Sequence, residues 1–128
     1  MKRRKDEGSF LTKYLRSFKH GVDGIVYSIE KEINIVVIMI LSILAFIVAF
    51  LLNVSQIELC LIVLSMGAMM ASELINCAIE ACVDMITLET NELAKISKDC
   101  AGAATLILVF VNMFVLGIIF IPKIIELL

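Results

Sequence analysis

The sequence predicts an all-α membrane protein in which an N-terminal amphipathic surface helix precedes three transmembrane helices. Hydrophobic residues make up 61% of the 128 residues, and the mean hydropathy is +1.03. Both values lie well above those of an ordinary globular domain, and the length suits a single domain, residues 1–128. The net charge of only −2 argues against nucleic acid as a partner.

Residues at about 9–30 are predicted to form the surface helix. Seven apolar side chains between Phe10 and Ile25 recur at helical spacing and share a sector of roughly 140°. Four polar side chains lie off that sector: Lys13, Arg16, Lys19 and His20. This pattern is typical of a helix lying in the inner membrane interface, and the alternative is a soluble helix packed on another domain. Gly21 and Gly24 offer a place to bend towards the first span.

Three apolar segments predict the transmembrane helices, at about 33–52, 58–87 and 100–121. The first and third contain no charged residue, and about twenty apolar residues suffice to cross the hydrocarbon core. The third segment is closed by Pro122 and Lys123. A short connection joins the first two spans, so we expect them to be antiparallel neighbours.

The basic residues predict the orientation. Ten of the eleven Lys and Arg either precede the first span or lie between the second and third, and Lys123 alone lies on the other side. Cytoplasmic loops of membrane proteins carry an excess of Lys and Arg. We therefore expect a multi-pass protein of the bacterial cell membrane, with the N-terminus and the 87–99 segment cytoplasmic and the C-terminus outside.

The middle span carries a polar stripe formed by Glu73, Asn76, Glu80 and Asp84. These residues are three, four and four positions apart, which places them within about 80° on one face of a helix. An ionised group near the bilayer centre costs at least ~2.5 kcal/mol, so such residues usually serve ions, protons or substrates. The stripe therefore indicates a functional site that opens towards the cytoplasm.

Several functions are compatible with the stripe. Polar side chains hold membrane helices together, and Asn112 of the third span is predicted to do so, but three carboxylates are many for this role. A small oligomeric ion or proton transporter is a second possibility, although residues 59–71 offer no ionisable side chain. A non-enzymatic membrane subunit is another.

The remaining possibility is an interfacial enzyme that acts on a lipid. The segment TLETNELAKISKD, residues 87–99, brings acidic residues and lysines to the level where a phosphate-bearing cosubstrate would arrive. Glu32, just before the first span, lies at the same membrane level as Glu80, and two carboxylates at one level suit a magnesium ion that also binds phosphate. No GxxxxGK[ST] loop occurs, so any nucleotide is held without a Walker motif.

The sequence resembles the small prokaryotic membrane lipid kinases, the diacylglycerol kinase and undecaprenol kinase family. The strongest match is ASELINCAIEACVDMI followed by ELAKISKDCAGAA, and a weaker one is SFKHGVDGI with Glu32 and Asn34 behind it. The resemblance covers about residues 10–122. It implies a homotrimeric bundle with sites shared between subunits, and transfer of the γ-phosphate of ATP to a lipid hydroxyl with Mg²⁺.

The resemblance also implies roles for individual residues. Glu73 matches the catalytic base that meets the lipid substrate, with Asn76 beside it, and Glu32 and Glu80 match metal-binding glutamates. The residues that fall at nucleotide-binding positions are Lys13, His20, Glu32, Glu80, Glu89, Thr90, Asn91, Lys98 and Asp99. Asp99 has an alternative role as the N-cap of the third span, because Asp is favoured there.

The start of the first span departs from the family pattern. Members from Gram-positive bacteria often read E-R-N-x-R-x-H, whereas this chain reads EINIVVI at residues 32–38 and lacks the basic residues at 33, 36 and 38. The retained E-x-N, the SFKHGVDGI entry and the absence of Trp still resemble the undecaprenol kinase branch. We therefore expect undecaprenol as the substrate, with diacylglycerol as the alternative.

Overall fold

The computed structural model describes residues 10–87, 89 and 91–128, and these residues form four helices. In chain order the helices are α1 (Phe10–Lys31), α2 (Ile33–Leu51), α3 (Gln56–Ile86) and α4 (Glu92–Glu126). The predicted all-α fold, with one N-terminal helix before three candidate spans, is confirmed. The predicted limits of α1, α2 and α3 agree with the helices to within two residues.

Helices α2, α3 and α4 are each long and apolar enough to cross a membrane. With 31 and 35 residues, α3 and α4 extend about 46 and 52 Å at 1.5 Å per residue. Both exceed the ~30 Å thickness of the hydrocarbon core. Their polar ends, which contain Glu80 and Asp84 on α3 and Lys98 on α4, therefore extend beyond the most apolar part of each helix.

The boundary between α1 and α2 lies at Glu32. The backbone of Glu32 is extended, with φ −117° and ψ 109°, and its N–H donates to the carbonyl of Ser28 at 2.9 Å. Helix α1 is continuous through Gly21 and Gly24. The chain therefore changes direction at the carboxylate residue itself rather than at the glycines.

The turn between α2 and α3 ends in a capping box. The N–H of Glu58 donates to Ser55 Oγ at 3.3 Å, and the N–H of Ser55 donates to Glu58 Oε2 at 2.6 Å. Lys123 Nζ lies 3.3 Å from the same Glu58 oxygen. These contacts tie the start of α3 to the end of α4, which continues through Pro122 to Glu126 instead of closing at the proline.

Helix α4 begins at Glu92, eight residues before the predicted third span. Asn91 is its N-cap, because Asn91 Oδ1 accepts from the N–H groups of Leu93 at 2.8 Å and Ala94 at 3.3 Å. Asp99 lies inside the helix, so the alternative in which Asp99 caps the third span is wrong. The uncharged run, residues 100–121, is the part of α4 that suits contact with lipid. The helix also includes the two charged turns that precede this run.

Helix α3 is central to the packing, since it contacts α4 most extensively and also contacts α2 and α1. The core joins α2, α3 and α4 through seven buried residues: Ile38, Ala45, Ala49, Ile62, Met66, Met69 and Ile119. Much of the remaining apolar surface of these helices is exposed, as expected where lipid is the solvent.

Helix α1 packs on α3 near its C-terminal end. Ser28 is buried there, and its hydroxyl donates to Cys77 Sγ at 3.5 Å. Towards the N-terminal end the apolar side chains are exposed, with Phe10 at 85% and Phe18 at 68%. The helix is confirmed, and its position in the membrane interface stays a prediction.

Candidate active site

The polar stripe on α3 changes from buried to exposed along the helix. Glu73 and Asn76 are 1% and 6% exposed. Glu80, one turn further, is partly buried, and the Asp84 side chain is 52% exposed. The stripe therefore connects the interior of the helix bundle to the end of α3 that is predicted to be cytoplasmic.

Glu73 and Asn76 each carry a buried oxygen that lacks a hydrogen-bond partner among the described residues. These atoms are Glu73 Oε1 and Asn76 Oδ1. The Asn76 amide group is oriented by Glu80, because Nδ2 donates to Glu80 Oε1 at 3.3 Å. Most buried polar atoms in proteins have partners, so a partnerless acceptor suits a ligand that brings a hydrogen-bond donor.

The extended backbone at Glu32 brings its carboxylate near the stripe. The pKa of Glu32 is raised above its usual value, first because burial removes part of its hydration and then because of the negative charges of Glu80 and Glu73. The residue between α1 and α2 thus carries a carboxylate that interacts electrostatically with two carboxylates of α3. The roles that the family resemblance implies for the three glutamates stay predictions.

Lys98 joins α4 to the end of the stripe. Its Nζ lies 2.6 Å from Asp84 Oδ1, and the two side chains are 36% and 52% exposed. Lys98 also lies within electrostatic reach of Glu80. Lys98, which is predicted to bind nucleotide, thus contacts the last residue of the stripe and interacts electrostatically with the predicted metal ligand Glu80.

A crevice of about 630 Å³, lined mainly by polar residues, lies where α3 meets α4. Four residues predicted to bind nucleotide line it: Glu89, Asn91, Lys98 and Asp99. The side-chain oxygen of Asn91 serves as the cap of α4, so this residue has a structural role in addition to its predicted one. Thr90, also predicted at this position, lies outside the described residues.

Lys13 and His20 lie apart from this cluster in the described part of the chain. Both are exposed on α1, and Lys13 accepts through its backbone carbonyl from Ser17 Oγ at 3.1 Å. His20 Nδ1 is 4.0 Å from Asp23 Oδ2, and its side chain lines a separate crevice of about 440 Å³ between α1 and α3. No hydrogen bond or ion pair between described residues joins either side chain to the glutamates.

A large apolar groove of about 730 Å³ extends from Glu73 along the bundle. Helices α2, α3 and α4 all contribute to it, from Asn34 of α2 to Phe120 of α4. Glu73 and Asn76 line the groove. Glu73, whose Oε1 lacks a partner among the described residues, therefore borders a space that suits a hydrocarbon chain.

The groove contains polar residues of α4 beside the apolar ones. As predicted, Asn112 joins helices, because Nδ2 donates to the carbonyls of Ser65 at 3.1 Å and Leu108 at 2.9 Å. Thr105 forms a hydroxyl pair with Ser72 at 3.2 Å. Thr105 was missed by the sequence reading, although its spacing of seven residues from Asn112 places both on one helix face.

The carboxylates form no complete metal cage. In residues 10–87, 89 and 91–128, no group of three or more His, Cys, Asp or Glu side chains could hold a metal ion. Magnesium is usually held by one or two carboxylates together with water and substrate phosphates. Oxygen donors from Glu32 and Glu80, which repel each other, fit that arrangement.

Comparison with known proteins supports a lipid-kinase assignment. A family model described as prokaryotic diacylglycerol kinase matches residues 19–120. The chain is 34% identical over 119 residues to an undecaprenol kinase of Bacillus subtilis, covering 93% of this chain and 97% of that protein. It is 29% identical over 125 residues to a diacylglycerol kinase of Synechocystis, covering 97% and 71% of the two chains.

A third relative supports the same conclusion. A diacylglycerol kinase of Pseudomonas aeruginosa is 33% identical over 94 residues, which are 73% of this chain and 76% of that protein. The family match includes α2 and α3 and nearly all the residues of the site described above. The chain belongs to the prokaryotic diacylglycerol kinase family and is a membrane-embedded lipid kinase.

Proposed function

We propose that this lipid kinase transfers the γ-phosphate of ATP, with Mg²⁺, to the hydroxyl of undecaprenol and so forms undecaprenyl phosphate. The observation that carries the proposal is the position of Glu73. Its carboxylate is buried, one oxygen has no partner among the described residues, and the residue lines an apolar groove. A lipid in the groove presents its hydroxyl to that oxygen.

Glu73 is the general base in this proposal. Its Oε1 accepts the proton of the lipid hydroxyl while the alcohol oxygen attacks the γ-phosphorus, and the bond between the γ-phosphorus and the β,γ-bridging oxygen breaks to release ADP. A positioned base typically contributes 10²–10⁴-fold, an order-of-magnitude range. Asn76 lies one turn away and orients the reacting groups, since its amide nitrogen is held by Glu80 and its oxygen is left for a ligand.

The nucleotide is proposed to bind where the crevice between α3 and α4 approaches the glutamates. Phosphoryl transfer depends mainly on positioning and on neutralising negative charge. Lys98 supplies a positive charge near Glu80, and Glu89, Thr90, Asn91 and Asp99 are the proposed contacts of the nucleotide. Lys13 and His20 are proposed to contribute from α1.

Glu32 and Glu80 are the residues that would hold magnesium. Glu32 lies at the junction of α1 and α2 and Glu80 on α3, and the raised pKa of Glu32 reflects both its partial burial and its electrostatic interaction with Glu80. A magnesium ion held by these residues would supply positive charge to the phosphates of the nucleotide. A cation also relieves the repulsion between the two carboxylates.

The partnerless polar atoms of the groove suit a lipid alcohol. Three buried side-chain atoms of the described residues lack a partner, and all are acceptor oxygens, on Glu73, Asn76 and Asn112. Asn112 already donates to two backbone carbonyls. The hydroxyl of undecaprenol or of diacylglycerol can donate a hydrogen bond to such oxygens, so the choice between the two lipids rests on the sequence resemblance.

The relatives support both lipids. The 34% identity to an undecaprenol kinase over almost the full length of that protein agrees with our choice. The relatives named diacylglycerol kinase make diacylglycerol, which would give phosphatidic acid, the second candidate. Both lipids carry one primary hydroxyl, so the same base would serve either.

The assembly is proposed to be a homotrimer with the active site on the cytoplasmic side. The family resemblance implies the trimer, and the exposed apolar faces of α2 and α4 provide surface on which a second copy can pack. The distribution of Lys and Arg supports the orientation. Chemical cross-linking in membranes tests the trimer, and dimers or monomers alone contradict it.

A competition assay tests the proposed lipid. Purified protein in mixed micelles receives radiolabelled ATP, magnesium, and undecaprenol and diacylglycerol at equal mole fraction. We expect a higher kcat/KM for undecaprenol and no transfer when magnesium is chelated. A higher kcat/KM for diacylglycerol overturns the choice of lipid, and transfer without any divalent cation overturns the metal site.

A further inference from the structure

Asp84 has no role in the mechanism above, although it completes the polar stripe. Its side chain is 52% exposed, so water can solvate the carboxylate and no protein partner is required. Nevertheless its Oδ1 lies 2.6 Å from Lys98 Nζ, and the two residues are fourteen positions apart on different helices. This ion pair joins the end of α3 to the first turns of α4.

The position of Lys98 makes this contact relevant to phosphate binding. Lys98 and Asp84 line the same crevice as Glu89, Asn91 and Asp99. Lys98 also interacts electrostatically with Glu80, which is one turn from Asp84 on the same face of α3. The ammonium group is therefore held beside Asp84 at the crevice, within electrostatic reach of Glu80.

A lysine needs such support because its side chain is flexible. The ammonium is a compact charge on a four-carbon stem, with three donors that rotate freely. One donor bonded to Asp84 fixes the group in space and leaves two donors for phosphate oxygens. A carboxylate that keeps its bond to the lysine during phosphate binding acts as a positioning residue rather than as a competitor.

We infer that Asp84 is a positioning residue for Lys98 and that it sets the affinity of the enzyme for the phosphates of its nucleotide. The inference rests on the proposed function, because it takes Lys98 to be a phosphate ligand. In this role Asp84 acts through Lys98 and not through contact with the reacting atoms.

A double-mutant cycle on nucleotide binding tests the inference. Affinity for a non-hydrolysable ATP analogue with magnesium is measured by calorimetry for wild type, Asp84→Asn, Lys98→Met and the double variant. We expect Asp84→Asn to weaken binding about two- to fivefold, the size typical of a partly exposed ion pair. Lys98→Met should weaken binding about tenfold or more, and Asp84→Asn should add almost nothing in that background.

Steady-state kinetics and a conservative variant separate positioning from a structural role. We expect Asp84→Asn to raise the KM for ATP while the KM for lipid and the thermal midpoint stay near wild type, and Asp84→Glu to restore part of the affinity. Glu126→Gln, at the opposite end of α4, removes a carboxylate far from the crevice and should leave both KM values unchanged.

The outcomes distinguish this inference from the proposed function. Independent, additive effects of Asp84→Asn and Lys98→Met in an active enzyme overturn the inference alone. Equal losses for ATP and lipid together with a lower thermal midpoint show a structural role and also overturn it. If wild type transfers no phosphate from ATP to any lipid alcohol, the proposed function fails, and the inference fails with it.

Discussion

Glu73 and Asn76 lie one helical turn apart on α3, and each has a buried oxygen with no hydrogen-bond partner in the described part of the chain. Both residues line the apolar groove, and the amide nitrogen of Asn76 donates to Glu80. The pair therefore lies between the space proposed for the lipid and the carboxylates proposed for magnesium. Substitutions at Glu73 should therefore affect transfer to the lipid, and substitutions at Glu80 should affect metal binding.

We expect Glu73→Gln to abolish phosphoryl transfer while nucleotide binding stays near wild type. The amide keeps the shape of the side chain but cannot accept the hydroxyl proton, and loss of a general base typically costs about 10²–10⁴-fold in rate. Transfer is measured with radiolabelled ATP, and binding by calorimetry. Near-normal turnover in a correctly folded variant contradicts the assignment.

We expect Glu32→Gln to raise the thermal midpoint of the ligand-free protein at neutral pH. Because the pKa of Glu32 is raised in the folded state, the protonated carboxyl contributes to the free energy of unfolding below the unfolded pKa. This contribution is lost as the pH rises through the folded pKa, so it is absent at neutral pH. The neutral amide avoids this loss. The difference from wild type should shrink below about pH 4, where the carboxyl is protonated.

The same variant should lose the stabilisation by magnesium and nucleotide that wild type shows. A ligand that binds only the folded state raises its stability, so a missing metal ligand reduces the shift in midpoint. Glu30→Gln is the matched control, because it removes an exposed carboxylate two positions earlier. Equal magnesium-dependent shifts in wild type and Glu32→Gln exclude Glu32 as a ligand.

We expect Gly102→Leu to raise the KM for lipid severalfold and to leave nucleotide affinity unchanged. Gly102 lines the groove, and a Cβ added there meets no heavy atom within 4 Å, so a leucine at this position should occupy part of the groove. Gly67→Leu is the control, since Gly67 is equally open but does not line the groove. Similar lipid kinetics for both variants would show that the lipid binds elsewhere.

We expect Ser55→Ala to destabilise the protein by about 1 kcal/mol, the usual cost of removing a serine N-cap. The substitution removes the acceptor for Glu58 N–H, whereas the Glu58 carboxylate keeps the backbone N–H of residue 55 and Lys123 as partners. Thermal unfolding in detergent micelles measures the effect. Ser17→Ala, whose hydroxyl only contacts a carbonyl of its own exposed helix, should change the midpoint little.

We expect Leu128→Cys to react with a membrane-impermeant maleimide added to intact cells. The C-terminus is predicted to lie outside, because Lys123 alone among the Lys and Arg is on that side. The native cysteines are replaced by alanine in this experiment. Ser17→Cys should react only after permeabilisation, and the reverse pattern would place the proposed active site away from cytoplasmic ATP.

The helices could be predicted from sequence because their signals are local. Uncharged runs located α2 and the apolar part of α4, and helical spacing placed Glu73, Asn76, Glu80 and Asp84 on one face of α3. The start of α4 was placed too late because a hydropathy pattern detects lipid contact and not helix continuity. Asn91 was the missed signal, as an N-cap residue directly before a helical segment.

The contacts between helices were harder to predict. The electrostatic interaction of Glu32 with Glu80 agrees with their common membrane level, which the sequence predicts, and with the family resemblance, whereas helical periodicity alone does not give it. The ion pair between Asp84 and Lys98 depends on how α3 and α4 pack, and the groove depends on all three spans. These features depend on side-chain packing between segments that are far apart in the sequence. Local sequence patterns do not report such packing.

The arrangement of α2 and α4 on either side of α3 also affects which concentration of the lipid substrate sets the rate of the kinase. The groove is bounded by membrane-crossing helices, so an isoprenoid alcohol would enter it by lateral diffusion within the leaflet and would never pass through water. Turnover should then follow the mole fraction of the alcohol in the membrane rather than its bulk concentration. Diluting the substrate with inert phospholipid at constant total substrate should slow the reaction, so the enzyme would respond to the composition of the membrane.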